Sequence, residues 1–250
     1  MPPAVLHMSV ARTLADALLA ADLDADRGAY YLGATAPDIR AITRWDRERT
    51  HFFNLADFGH QDSVKALFAA HPELADRSNA NASTAAFLAG YISHLVLDER
   101  WIQDVYRPLF GETSALSGSQ RANSMDRVIQ FELDRRERED RGLLEKMRKE
   151  ILASALEVTV GFIDIEAIRR WREVNLDFLQ APPTWERFRN FASRHLRQYG
   201  IEDPEQVEAF MAEVPGLLEE SLDHVGWERV QAYLDTARAR ALAAIREYLD

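Results

Sequence analysis

The run from Thr84 to Tyr106, "TAAFLAGYISHLVLDERWIQDVY", constrains the fold more than any other stretch. It contains no Pro and a single Gly, and its apolar residues recur at helical spacing. Phe87, Tyr91, Leu95, Ile102 and Val105 share one stripe. Leu88, Ile92, Val96 and Leu97 make the other sides apolar as well. A helix that is apolar all round has to be enclosed by other elements. The run therefore predicts a central, buried helix, ended by Pro108 and Gly111, inside a helical bundle.

The rest of the chain agrees. Gly and Pro are scarce, 11 and 9 in 250 residues, while Ala, Leu, Arg and Glu dominate. Helices are predicted at about Ala4–Ala21, Gly28–Ala34, Gly59–Ala70, Asn123–Asp140, Leu143–Val160, Asp164–Leu179, Thr184–Tyr199, Asp203–Leu222 and Trp227–Tyr248. Pro37 forces a turn in "GATAPDIR", and Arg40 to Asn54 reads as irregular. The charged run "FELDRREREDR" reads as a solvated face. With no repeat and no low-complexity linker, the expectation is one all-α domain over residues 1–250. Five of the seven histidines lie in its first 111 residues, and residues 112–250 add further helices.

Charge and composition narrow the function. The net charge of -11 argues against a stable complex with duplex nucleic acid, which demands a basic surface. The absence of cysteine excludes disulfides and thiolate sites, so a transition metal would need His, Asp and Glu. The N-terminal stretch is too polar for a secretory signal, and no stretch reaches the ~20 apolar residues of a membrane span. The expected location is the cytoplasm.

Two residues of the central run conflict with their surroundings. His94 and Asp98 stand four apart, on the apolar stripe rather than opposite it. A buried carboxylate needs a partner. Internal pairing is the commoner explanation for a single pair of this kind. A shared metal ion is the second, and a His–Asp dyad beside a nucleophile is the third, although no G-x-S-x-G elbow is present. A metal needs three or four protein ligands. Other ionisable residues in similar conflict are His7 on the stripe of the first helix, Asp38 after Pro37, and His51 in "RTHFFN".

Taken in order, these blocks resemble the zinc-dependent phospholipase C-like proteins of the phospholipase C/P1 nuclease superfamily. The matching elements are His7, "GATAPDIR" with Asp38, "THFF" with His51, and "AFLAGYISHLVLDERW" with the HxxxD pair His94 and Asp98. They cover roughly Met1 to Gly111. The resemblance implies an all-α bundle whose site lies among the helices. It implies that Asp38, His51, His94 and Asp98 bind one zinc ion, that Asp98 bridges to a second ion held also by His7, and that Asp38 accepts a proton from the attacking water. The expected substrate is a small-molecule or lipid phosphate ester, such as a phospholipid head group or nucleotide. The chain also departs from the pattern. Secreted relatives supply an N-terminal Trp amine, where this chain has Met1-Pro2. A further metal of the family uses a His where Asp104 stands here. The HxxxE pair occurs only at His224 and Glu228, with His60 a nearer spare. One or two ions are therefore expected rather than three. Arg40, Arg44, Arg47 and Arg49 lie between two of the proposed ligands and offer phosphate contacts or loop charge. His71 reads as exposed, and His195 as lying near a helix C-terminus. A helical scaffold with a structural, non-catalytic metal is the competing reading. An HD-type phosphohydrolase lacks its adjacent His-Asp, and a ferritin-like site lacks its Glu-x-x-His pairs.

Overall fold

The computed structural model describes residues 3–18, 21–197 and 199–250; the side chain of His195 lies outside the described residues. Among the described residues the protein is all-α, with no strand. In chain order the helices are α1 (Ala4–Leu18), α2 (Ala21–Ala25), α3 (Arg27–Gly33), α4 (Arg40–Thr43), α5 (Glu48–His51), α6 (Ser63–Ala70), α7 (Ala82–Trp101) and α8 (Arg107–Leu109). The second half contributes α9 (Gln120–Glu137), α10 (Arg141–Ala153), α11 (Ile165–Gln180), α12 (Glu186–Arg197), α13 (Pro204–Val225) and α14 (Trp227–Leu249). No helix among the described residues is long and apolar enough to cross a membrane.

Helix α7 is the enclosed centre that the sequence predicts. Asn81 caps it by accepting from Thr84 N, and Phe87, Leu88, Tyr91, Ile92 and Leu97 are all buried. Each such side chain contributes about 1.5–3 kcal/mol when fully buried. The helix packs chiefly against α3 and α14. Its contact with α3 is backbone to backbone. A Cβ on Gly90 would sit 2.0 Å from Tyr30 O, and one on Gly33 would sit 1.9 Å from Phe87 O. Only glycine permits that approach. Toward its C-terminal end, Tyr233 donates to Leu97 O and Trp101 Nε1 donates to Asp126 Oδ1, which ties α7 to α14 and α9.

Several expectations are corrected. Pro108 does not end the central helix. The chain passes through a π-helical segment, Ile102–Tyr106, and Pro108 then opens α8, where its missing N–H costs nothing. The helix expected over Leu143–Val160 stops at Ala153. Beyond it the chain is non-helical, with Leu156 at a φ of 54°, and the β-branched run Val158–Val160 favours that outcome. Ser154 there donates to the buried Asp26, and Thr159 N donates to Thr84 Oγ1. The region 40–54 is not wholly irregular, since it contains α4 and α5. Helix α6 starts at Ser63 rather than near Gly59, because Asp62 provides the N-cap by accepting from Lys65 N.

The charged run of α9 is also not simply a solvated face. Within it Glu132, Asp134 and Arg138 are buried. Asp134 accepts from Val5 N and Leu6 N at the start of α1 (2.8 and 3.1 Å), and Arg138 Nε holds its other oxygen at 2.7 Å. An anion at a helix N-terminus satisfies otherwise orphaned N–H groups. Helix α9 therefore fixes the end of α1 that carries His7.

Candidate metal centre

Four separate elements bring the five predicted residues together. His7 comes from α1, Asp38 from the 3-10 turn Ala36–Ile39, His51 from α5, and His94 and Asp98 from α7. His51 Nε2 lies 3.3 Å from Asp98 Oδ2 and 3.6 Å from Asp38 Oδ1. His94 Nε2 is 3.6 Å from Asp98 Oδ2, and His7 Nε2 is 3.5 Å from Asp98 Oδ1. The rings of His7 and His94 stack at 3.8 Å. Two groups could hold an ion: His7, His94 and Asp98, or Asp38, His51 and His94.

The outer contacts decide which ring nitrogens face inward. His94 Nδ1 lies 2.9 Å from Ala34 O, and a carbonyl only accepts, so Nδ1 carries the proton and Nε2 presents its lone pair. Ala34 closes α3, so the Gly33 and Gly90 contacts set that bond. His51 Nδ1 lies 3.1 Å from Thr50 Oγ1, whose own proton goes to Arg47 O. Thr50 therefore accepts from His51, and His51 Nε2 is left bare. Tyr91 donates to Thr50 O and anchors α5 on α7. His7 Nε2, His51 Nε2, His94 Nε2 and Asp98 Oδ1 are buried with no hydrogen-bond partner among the described residues. Orphaned buried polar atoms cost about 1–3 kcal/mol each, so a cluster of them needs a compensating ligand. Imidazole and carboxylate donors without thiolate suit zinc or another borderline divalent ion.

The cluster is dry on most sides. The His7, His51, His94 and Asp98 side chains are 0–2% exposed, while Asp38 is 25% exposed and marks the open side. Burial pushes the Asp38 carboxyl up, but the neighbouring His51 and His94 outweigh it and hold it at about 2. Burial also opposes ionisation of Asp98, yet His94, His51 and His7 keep it well below the usual carboxylate range. Burial, assisted by His94, lowers His7. For His94, burial lowers while Asp98 and Asp38 raise, and the net direction is up. A ligand imidazole must be neutral to bind metal. Zinc affinity is therefore expected to fall as pH drops through the raised pKa of His94, by about tenfold per pH unit and per proton displaced. The carboxylates stay ionised through that range. Competition titrations from pH 8 to 5 check this; an affinity flat to pH 5 would contradict it.

The remaining candidates do not join the cluster. Asp104 pairs with Arg100, His224 Nε2 bonds to Leu109 O, and His60 is exposed. His71, expected to be exposed, is half-buried and stacks on Phe162 at 4.6 Å. Of the four arginines, Arg40 donates to Trp45 O, Arg49 lies 3.8 Å over the Trp45 ring, and Arg44 is exposed. Arg47 reaches the cluster, with Nη2 at 3.2 Å from Asp98 Oδ2. Sequence spacing did not separate it from the other three. Its distinguishing sign is its place one helical turn before His51.

Comparison with known proteins adds one finding. No curated protein and no solved structure matches the chain. Residues 6–99 match the family model described as zinc dependent phospholipase C, and that segment holds all five clustered residues. Over this segment, which is less than half of its length, the chain is similar to the zinc dependent phospholipase C family.

Proposed function

We propose that the protein is a zinc-dependent phosphoesterase acting on a phosphodiester such as a phospholipid head group or nucleotide. One observation carries this reading: inward-facing imidazole nitrogens and a carboxylate oxygen, buried without partners, meet one partly exposed carboxylate. A closed structural site would have no reason to leave Asp38 open to solvent. His51, His94, Asp38 and Asp98 would hold the ion, with His7 beside Asp98. When bound, zinc polarises a phosphoryl oxygen and lowers the pKa of a water.

The side chains supply the rest. Asp38 stands at the open edge and is ionised at neutral pH, so it accepts a hydrogen bond from the attacking water. Its contribution is to orient that water and, as the resemblance implies, to take up its proton. The buried walls, including Tyr91 and Leu95, exclude bulk water and strengthen each electrostatic contact. The competing reading, a scaffold with a structural metal, predicts no turnover.

Protein purified without chelator is expected to carry zinc, and a content below about half an equivalent by elemental analysis would sink the proposal. With a chromogenic phosphodiester, Asp38→Asn is expected to lower the rate by roughly 10²-fold or more at retained zinc content. Equal rates for wild type and variant would favour the scaffold.

A further inference from the structure

The geometry of the cluster bears on how many ions it takes and what faces the substrate. Both possible ligand groups include His94. Its Nδ1 is committed to Ala34 O, so it has one lone pair to give, and that lone pair serves one ion. If the ion sits with Asp38, His51 and His94, a second ion would have His7 Nε2 and Asp98 Oδ1 among the described residues. Two donors are fewer than the three or four protein ligands zinc takes.

A cation of the chain itself stands on the other oxygen of Asp98. Arg47 and His51 are four residues apart, with His51 N bonded to Arg47 O, so α5 presents both side chains on one face. Both converge on the same atom, Asp98 Oδ2, at 3.2 and 3.3 Å. The guanidinium is held on its other side by Phe53 O at 3.2 Å and is 12% exposed. The left-handed backbone at Phe52, φ 52°, returns the chain so that Phe53 O can accept from it.

Charge balance gives this placement a consequence. With neutral histidine ligands, Asp38 and Asp98 cancel one divalent ion, and Arg47 leaves the site with a single positive charge. Asp98 Oδ2 lies between the two cations, and the positive charge left over favours a further anion at the open side. An oxyanion bridging the ion and a guanidinium satisfies both, and the fork of arginine matches two phosphoryl oxygens.

We propose that the centre is mononuclear and that Arg47 supplies the second positive charge, binding the phosphoryl oxygens of the substrate. His7 Nε2 lies 3.5 Å from the far oxygen of Asp98. This rests on the phosphoesterase reading above and goes beyond it by assigning the anion site.

The test uses the full-length protein loaded with zinc and inorganic phosphate as the probe. Elemental analysis is expected to give one zinc per chain. Calorimetry at saturating zinc is expected to show phosphate binding that weakens about 10–100-fold in Arg47→Gln, the loss of a charged hydrogen-bonding partner. Arg47→Lys, which keeps the charge but not the fork, is expected to fall between the two, and it replaces Arg47→Gln if that variant does not fold. Two tightly held zinc ions per chain would overturn the proposal. So would phosphate binding in the variants equal to wild type, or none in the zinc-loaded wild type. Failure to bind zinc at all is a separate outcome, which removes the phosphoesterase reading itself and this assignment with it.

Discussion

An Asp98→Asn variant is expected to lose zinc more severely than any change outside the five clustered residues. Asp98 is 2% exposed, and three imidazole nitrogens and the Arg47 guanidinium lie within 3.2–3.6 Å of its oxygens. Outer-contact changes in metal sites cost about 10–100-fold in affinity. Removing the carboxylate common to all of these contacts should exceed that. The metal-free protein should also suffer. Asp98 carries the negative charge that offsets Arg47, and breaking a buried ion pair from one side costs roughly 3–5 kcal/mol. The variant keeps the shape of the side chain, so lost packing does not explain the effect. Zinc titration and thermal unfolding with and without zinc measure the two components. A wild-type zinc affinity in Asp98→Asn would remove Asp98 from the site. Unchanged metal-free stability would mean that the Arg47 contact contributes nothing.

Much of this site is legible because its members break a local rule. His94 and Asp98 interrupt an apolar stripe, and His7 interrupts another, so each is visible against a regular helical background. The all-α fold and the enclosed α7 follow from the same periodicity. Asp38 and His51 are harder to read, because they sit in short 3-10 and α-helical turns. Their convergence depends on how these two turns sit in the folded chain. Arg47 is one of four arginines in ten residues, and only its place one helical turn before His51 separates the one that turns inward. Asp134 is hidden in another way. Its neighbours are charged, as on any solvated helix, and its burial depends on the start of α1 more than a hundred residues earlier. The resemblance contained in residues 6–99 does not reach it. The second half thus contributes to the site by fixing α1, a role that composition and helical spacing do not encode.

The smallest residue near the centre should have a large effect as well. In Gly90→Ala the added Cβ would meet Tyr30 O at 2.0 Å and Ala34 N at 2.7 Å. Both are backbone atoms, so no side chain can swing aside, and α3 must move away from α7. Overpacking of this kind costs about 1–3 kcal/mol, and a backbone clash belongs at the upper end. For a chain of this size each kcal/mol lowers Tm by about 2–4 °C. The second effect is on the metal. Ala34 O at the end of α3 is the acceptor that fixes the His94 ring, so displacing α3 frees the ring to rotate or change tautomer. A loss of about 10–100-fold in zinc affinity is expected, although Gly90 is no ligand. Gly216→Ala, on an exposed face of α13 with nothing within 4 Å of the added atom, is the control. It should leave zinc binding intact and raise stability by about 0.5–1 kcal/mol. If Gly90→Ala lowers Tm without weakening zinc, the α3 contact serves packing alone, and the orientation of His94 is set within α7 itself.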